Sequence, residues 1–511
     1  MSVKTNIFAN YIGQCWRALM GLAFVPVYIR YLGIEAYGLI GVFSILLACL
    51  SMLDVGLKPA LGREMARFIA GAHTPQSIRD LLRSVEILGS GIAVLVVVGI
   101  WAASSWLASD WLSPTHIPIN DVANAITVMG FVTALRFIES IYVSSVVGLQ
   151  LQVTESIVSS VMATVRGLGA VCILAWVSPS IRAFFVWQAV VSLITVPVLA
   201  AVVYRALPIS PGFARLSWSA LIEIRRFAAG MFAITLLALL LTQVDKILLS
   251  RLLPLAAFAQ YALAGAAANA LYMLTGPVSA ALLPRLTELV TRGEEAALRN
   301  AYHLAAQLVT VLMGAAAIIL IMFGDKVLLL WTRDAVLTKH VSGLLAIMAF
   351  GTLLHGLTWI PYQLQLAYGW TRLAINVNIV AVVILVPAIF LAVPAYGANG
   401  AAWIWVTLNS GYVVFTIFLM HRRLLPTEKW RWYVEDVITP LAAGFGVSEV
   451  CRLASPRGTS DLVNLGFLAT STMSVLFAML LAASMLRRQL TRYATLKLEP
   501  IFAKWRTVQK K

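Results

Sequence analysis

Charge is scarce in this chain. Asp, Glu, Lys and Arg make up 12% of its 511 residues, where a soluble domain carries about 25%. That excludes an ordinary water-soluble globule. Cysteine is equally uninformative as a framework: Cys15, Cys49, Cys172 and Cys451 lie in or at the ends of apolar runs with no paired spacing, so no disulfide scaffold is implied. Six scattered histidines come with no CxxC or HExxH pattern, so neither a metal site nor a cofactor is expected. The N-terminus lacks a clean small-residue cleavage site after its apolar run, which argues against a cleavable signal. Polar stretches long enough for a separate soluble domain are missing as well.

What is abundant is hydrophobic sequence, 60% of residues, with a mean hydropathy of +0.88. About fourteen apolar runs are long enough to cross a hydrocarbon core of about 30 Å. They fall near 7–28, 37–57, 84–108, 123–148, 153–177, 181–203, 227–250, 256–284, 301–323, 341–365, 371–393, 398–420, 437–453 and 462–486. The thirteenth is short, glycine-rich and interrupted by Glu449. The fold class is therefore an all-α polytopic membrane protein.

The net charge of +16 invites a nucleic-acid partner, but the placement of the cations argues otherwise. Lys58, Arg63, Arg67, Arg79 and Arg83 cluster after the second run; Arg205, Arg215, Arg225 and Arg226 after the sixth; Arg422, Arg423, Lys429 and Arg431 after the twelfth. Loops after even-numbered spans share one side of the membrane, and an excess of Lys and Arg marks it as cytoplasmic. Both termini are expected there. The basic tail from Arg487 to Lys511 carries Tyr493 and Trp505, which suits docking on anionic lipid and needs no nucleic acid.

Against this background a few polar residues inside the spans stand out. Asn6, Asn10, Gln14 and Arg17 follow steps of four, four and three, one face of the first helix. An arginine at the bilayer centre costs about 2.5–3.5 kcal/mol, so Arg17 should face protein or a wet cavity; packing against a polar neighbour is the plainer alternative. Pro26 should bend this helix. Asp54, near the end of the second span, is either hydrated at the surface or a cation-coupling carboxylate. Residues 58–86 mix charge with apolar side chains as an interfacial amphipathic helix does. Arg136 and Glu139 share a face of the fourth span and should form an ion pair, which Arg166 of the fifth span can join. Three mid-span arginines against one evident acid point to an anion-accepting cavity.

A basic segment, 204–226, then separates two six-span halves, 1–203 and 227–423. Two further spans (424–486) and the basic tail (487–511) follow. An even number of spans per half gives both the same orientation. Arg30, Tyr37, Gly38 and Leu39 are echoed by Arg251, Tyr261, Ala262 and Leu263, and Arg63 by Arg285. The seventh span ends in Asp245 and Lys246. The eighth, with Gly276, Pro277 and Pro284, is the expected broken helix. His355, Trp359, Pro361, Gln363, Gln365, Asn376, Asn378 and Asn409 offer neutral polar groups, for sugar hydroxyls or for bonds between helices.

The first hairpin, with Pro26, Leu32-Gly33, Tyr37-Gly38-Leu39, Leu53-Asp54-Val55-Gly56-Leu57 and Arg63, resembles the Wzx-type polysaccharide flippases of the MOP exporter superfamily. Asp245-Lys246 with Tyr261 and Ala264, and the patch Tyr396-Gly397-Ala398-Asn399-Gly400-Ala401-Ala402, extend the likeness. The resemblance implies two six-helix lobes and two extra C-terminal helices around a central cavity. It also implies alternating-access export of undecaprenyl-pyrophosphate-linked sugars (O-antigen, capsule or exopolysaccharide units), with a polymerase and glycosyltransferases as pathway partners. On that reading Arg17, Gln14, Asn10, Arg136, Arg166 and Lys246 are the substrate-binding candidates. Asp54, Glu139 and Asp245 are the candidate coupling acids. Arginine suits phosphate because its planar fork meets two oxygens at once. The rival readings are a multidrug cation antiporter of the same superfamily, which would favour acidic and aromatic cavities, and a membrane polymerase or glycosyltransferase, for which no extramembrane loop with paired catalytic groups is present.

Overall fold

A computed structural model describes the chain apart from residues 1–2, 54–55, 210–211, 457–459, 490 and 492–511. For 3–11, 51–53 and scattered positions in 223–241 and 277–281 it describes the backbone alone. The described residues are helical almost throughout, and nine helices among them are long and apolar enough to span a membrane. The protein is a multi-pass membrane protein, as expected. Contacts divide it into two compact units, Met1–Ala262 with Ile389–Ala398, and Leu263–Ala388 with Asn399–Lys511.

The first unit is built from α1 (Val3–Ala23), α2 (Val25–Leu32), α3 (Ile34–Leu53), α4 (Leu57–Ile69), α5 (Pro75–Trp106), α6 (Ile119–Gly148), α7 (Gln152–Trp176), α8 (Ile181–Ala206), α9 (Trp218–Leu252) and the start of α10 (Leu255–Asn269). The break between α1 and α2 falls just ahead of Pro26, whose ring removes a backbone donor. The amphipathic helix expected over 58–86 is shorter: α4 alone has that character, burying Leu57, Leu61 and Met65 while Arg63 and Arg67 face outward, and residues from Pro75 onward belong to α5. The apolar face of α4 joins Ile78, Leu82, Val85, Phe137, Val146 and Val203 in one core. Val94, Leu95, Val98 and Trp101 on α5 are exposed, an apolar surface that only lipid accommodates at this scale.

Buried acids tie the first unit at both ends. Glu86 of α5 accepts hydrogen bonds from Tyr142 (2.9 Å) and Tyr204 (2.9 Å), joining α5 to α6 and α8. Glu35, at the start of α3, accepts from the Thr115 hydroxyl and amide and from the His116 amide, holding the loop before α6. The basic segment after α8 narrows to Leu207–Ser217, because Ser217 caps α9. Arg79 donates to the Leu207 and Pro208 carbonyls and pins it to α5.

The second unit holds the rest of α10, a 3₁₀ turn (Ala270–Leu274), α11 (Gly276–Arg292), α12 (Glu295–Thr332), α13 (Ala335–Leu357), α14 (Trp359–Ala367), most of α15 (Arg372–Gly411), α16 (Ile417–Leu424), α17 (Lys429–Arg431), α18 (Thr439–Leu453) and α19 (Asp461–Ala482). The eighth span breaks at the 3₁₀ turn ahead of Pro277, as its Gly-Pro step predicts. The eleventh and twelfth spans form one helical run broken at Gly397, whose φ of 57° and ψ of −143° suit only glycine. Helix α12 is buried nearly all round, against α13, α18 and α19, with Val311, Ile318 and Phe323 meeting Val475 and Met479.

A polar network crosses this second core. His303 of α12 lies between Asp436 and Glu428, with Nε2 3.0 Å from the Glu428 carboxylate. Gln307 donates to Asp436 (2.9 Å) and accepts from the Met485 amide (2.9 Å). Buried polar groups cost little only when partnered, and these partners come from α12, the π turn Trp432–Ile438 and the chain after α19.

Candidate functional site

Helix α1 approaches α7 closely at Gly13, where an added Cβ would lie 3.0 Å from Ser156 Cβ. Further along, Trp16 Nε1 donates to Thr164 Oγ1 at 2.9 Å. Contacts that climb both helices together make the pair parallel and fix its register. That register sets Arg17 within reach of Glu155, Nη1 to Oε1 3.5 Å. The Ser159 hydroxyl supports the same carboxylate at 2.7 Å.

Two more arginines converge from α6 and α7. Arg166 donates to Glu139 Oε1 at 2.7 Å and to the Ser192 and Thr195 hydroxyls of α8. Arg136 meets the second Glu139 oxygen at 3.4 Å, the expected pair. Both oxygens of Glu139 are thus occupied by guanidinium groups. Arg17, Arg136, Glu139 and Arg166, with Ser159 and Gln188, line one cavity of about 510 Å³ inside the first unit. The Nε groups of Arg136 and Arg166 are buried without a hydrogen-bond partner, while Arg17 Nη1 has only its longer ion pair with Glu155.

The acid count needs correction. The sequence suggests a single carboxylate against three mid-span arginines, and Glu155 makes a second. It escaped notice because it sits in the first turn of its helix, where an acid reads as surface-hydrated. Its signal was Ser159 one turn on, a hydroxyl able to hold a turned-in carboxylate. Glu155 pairs with Arg17 without lining the cavity, so even counting it, two acids against three cations leave one positive charge over.

The other candidates lie elsewhere. Gln14 is exposed and does not line the cavity. The Asn10 side chain and all of Asp54 lie outside the described residues. Asp245 is held on α9 by the Tyr261 hydroxyl at 3.0 Å. Lys246 reaches back to the Thr242 carbonyl and Gln243 Oε1, both at 3.4 Å. Among the described residues, no group of three or more His, Cys, Asp or Glu is arranged to hold a metal ion.

A three-cation cavity within a helical membrane unit narrows the comparisons that matter. The family model for polysaccharide biosynthesis proteins matches residues 3–290, more than half of the sequence. The chain belongs to the polysaccharide biosynthesis protein family. The MatE model matches residues 231–391 of this polysaccharide biosynthesis protein. No curated protein is significantly similar to it in sequence. Among solved structures, the lipid II flippase MurJ in an inward closed conformation superposes with a TM-score of 0.73 at 11% identity, covering 94% of this chain and 99% of that one. An inward-facing multidrug resistance MATE transporter of the MOP superfamily gives 0.63 at 15% identity, covering 80% and 94%. The MATE multidrug transporter DinF-BH gives 0.58 at 14%, covering 82% and 95%. Family and fold together make this a MOP-superfamily member, as the first hairpin suggests.

Proposed function

We propose that this protein is a flippase, a transporter and not an enzyme, that moves undecaprenyl-pyrophosphate-linked oligosaccharide from the cytoplasmic to the periplasmic leaflet by alternating access. One observation carries this reading: three arginines share a cavity lined by a single acid, Glu139, and the buried Nε of Arg136 and of Arg166 have no hydrogen-bond partner. A diphosphate cannot enter hydrocarbon bare, because an isolated ion in low dielectric is prohibitively costly. Guanidinium forks replace its water, and a diphosphate offers acceptors to the donors left open. Arg17, the most exposed of the three, is the first phosphate contact; Arg166, locked to Glu139, sets the positive wall. The polysaccharide family match and the fold shared with a lipid II flippase support the same cargo class.

Arg17→Ala should abolish surface polysaccharide and leave lipid-linked repeat units on the inner leaflet, with the protein still inserted. Normal export from that variant ends the assignment of Arg17 as phosphate contact. Coupling to an ion would reside in Asp54, Glu139 or Asp245, and full transport by all three amide variants would place it elsewhere. The orientation follows the cation clusters, both termini cytoplasmic in an inner membrane. A multidrug antiporter is the second reading, favoured by the MatE match over 231–391. Hydrophobic cations would be repelled by the residual positive charge of the arginine cavity, so resistance to cationic dyes conferred by expression would decide for it.

A further inference from the structure

The second unit has a cavity of its own, chemically unlike the first. It measures about 250 Å³ and lies among the end of α13, α14, the first turns of α15 and the π turn Tyr412–Thr416. At about 30 Å³ per water molecule, it is the size of a single sugar ring. None of its lining residues is Lys, Arg, Asp or Glu. Aromatic faces come from Trp359, Tyr362 and Tyr412, and amides from Gln365 and Asn378.

Three polar atoms on this lining are buried with no hydrogen-bond partner: Trp359 Nε1, a donor; Gln365 Oε1, an acceptor; and Thr416 Oγ1, which does both. Gln365 is only 2% exposed. Native structures leave few such groups unsatisfied, and three on one cavity describe the ligand that would satisfy them. An acyl chain satisfies none. A hydrophobic cation finds no carboxylate. A pyranose offers hydroxyls, which donate and accept at once, and a flat C–H face to lay on an aromatic ring.

The backbone is irregular where these groups are presented. Pro361 has no N–H to bond the Leu357 carbonyl, and the helix breaks at Thr358, between α13 and α14. That break aims Trp359 and Gln365 from a short separate helix. Opposite them the π turn carries Tyr412 and Thr416; such turns recur at functional sites. The Tyr412 hydroxyl donates to Asn378 Oδ1 at 3.2 Å, so the Asn378 N–H donors are what that amide has left to offer. Tyr272 holds His355 by its Nδ1 at 2.9 Å, and the imidazole backs Trp359 edge to face.

We propose that this cavity is a saccharide subsite that takes one uncharged pyranose of the cargo, with Trp359 as stacking platform and Gln365, Asn378 and Thr416 as hydroxyl partners. It rests on the glycan cargo proposed above, but binding of free sugar at it does not depend on flipping. Uronic acids are disfavoured, because a carboxylate entering here meets no cation.

Saturation-transfer NMR on the full chain in lauryldimethylamine oxide, a detergent without sugar, tests it. The probes are methyl glycosides of glucose, galactose, N-acetylglucosamine and rhamnose, with methyl glucuronide as the charged control. At least one neutral glycoside should receive saturation at its ring protons, more strongly than the glucuronide. Trp359→Ala and Gln365→Leu should each weaken that binding about tenfold, the scale of one lost hydrogen bond and stack. Trp359→Phe, which keeps an aromatic ring and guards against misfolding, should weaken it less. Saturation of no neutral glycoside, or equal signals from the wild type and all three cavity variants, would overturn the subsite. Sugar binding by the wild type together with undiminished surface polysaccharide in a strain lacking the protein would instead overturn the flippase reading and spare the subsite.

Discussion

Arg166 and Glu139 show how a costly residue is made tolerable inside a membrane. Each is nearly enclosed, and each is held by more than one partner. Removing one member of such a pair leaves a bare buried charge, at a cost of about 3–5 kcal/mol. Glu139→Gln should therefore lower the unfolding temperature in detergent sharply, whereas Arg17→Ala, half-exposed with a longer contact to Glu155, should hardly move it; equal losses would show that Arg17 is structural. Glu428 supports a pH prediction. Burial pushes its carboxyl up, but hydrogen bonds and charge from His303 and Arg431 outweigh that and hold it below the usual range. A carboxyl depressed by folding stabilises above its unfolded pKa, and that stabilisation is lost as pH falls through the folded value. Acidification below the usual carboxylate range should lower the unfolding temperature of the wild type more than that of Glu428→Gln, measured by scanning fluorimetry across pH 7 to 3. Arg17, Arg136 and Arg166 were legible in the sequence because a cation within an apolar run is conspicuous. Glu155 and the His303–Asp436 contact were not, since each depends on a neighbour far along the chain.

Helix breaks were easier to foresee than helix contacts. Pro26 and Pro277 mark their breaks through local chemistry, the missing amide, and Gly397 supplies a backbone conformation closed to other residues. Gly397→Ala should strain the α15 run by about 1–3 kcal/mol, read as a lower unfolding temperature with helix content by circular dichroism kept. The approach of α1 to α7 had no such mark, because Gly13 sits in an ordinary apolar stretch and its role appears only beside Ser156. Gly13→Leu should force the two helices apart, cost about 1–3 kcal/mol through overpacking, and separate Arg17 from Glu155. A crosslink between cysteines at positions 16 and 164 that forms in the wild-type background but not beside Gly13→Leu would show that separation. The segment between α8 and α9 is shorter than its charge suggests, since Trp218 already begins α9 with the uncharged turn Trp218, Ser219, Ala220 and Leu221, and Arg225 lies within the helix.

At the scale of the molecule, composition settled the class: few charges and long apolar runs leave only a multi-pass membrane protein. The family likewise showed in the first hairpin. The mid-span arginines pointed to an anion-accepting cavity and the neutral polar groups to sugar hydroxyls, but the grouping into one cationic cavity in the first unit and one neutral, aromatic cavity in the second was beyond the sequence, because each gathers residues from three or more helices. The central claim is that the arginine cavity accepts a diphosphate. Titrating inorganic pyrophosphate into the purified full chain, with tetraphenylphosphonium as the opposing probe, tests it most directly. Pyrophosphate should bind, about tenfold more weakly to Arg17→Ala and to Arg136→Ala, and tetraphenylphosphonium should not compete. Tight binding of tetraphenylphosphonium with no binding of pyrophosphate would contradict the account.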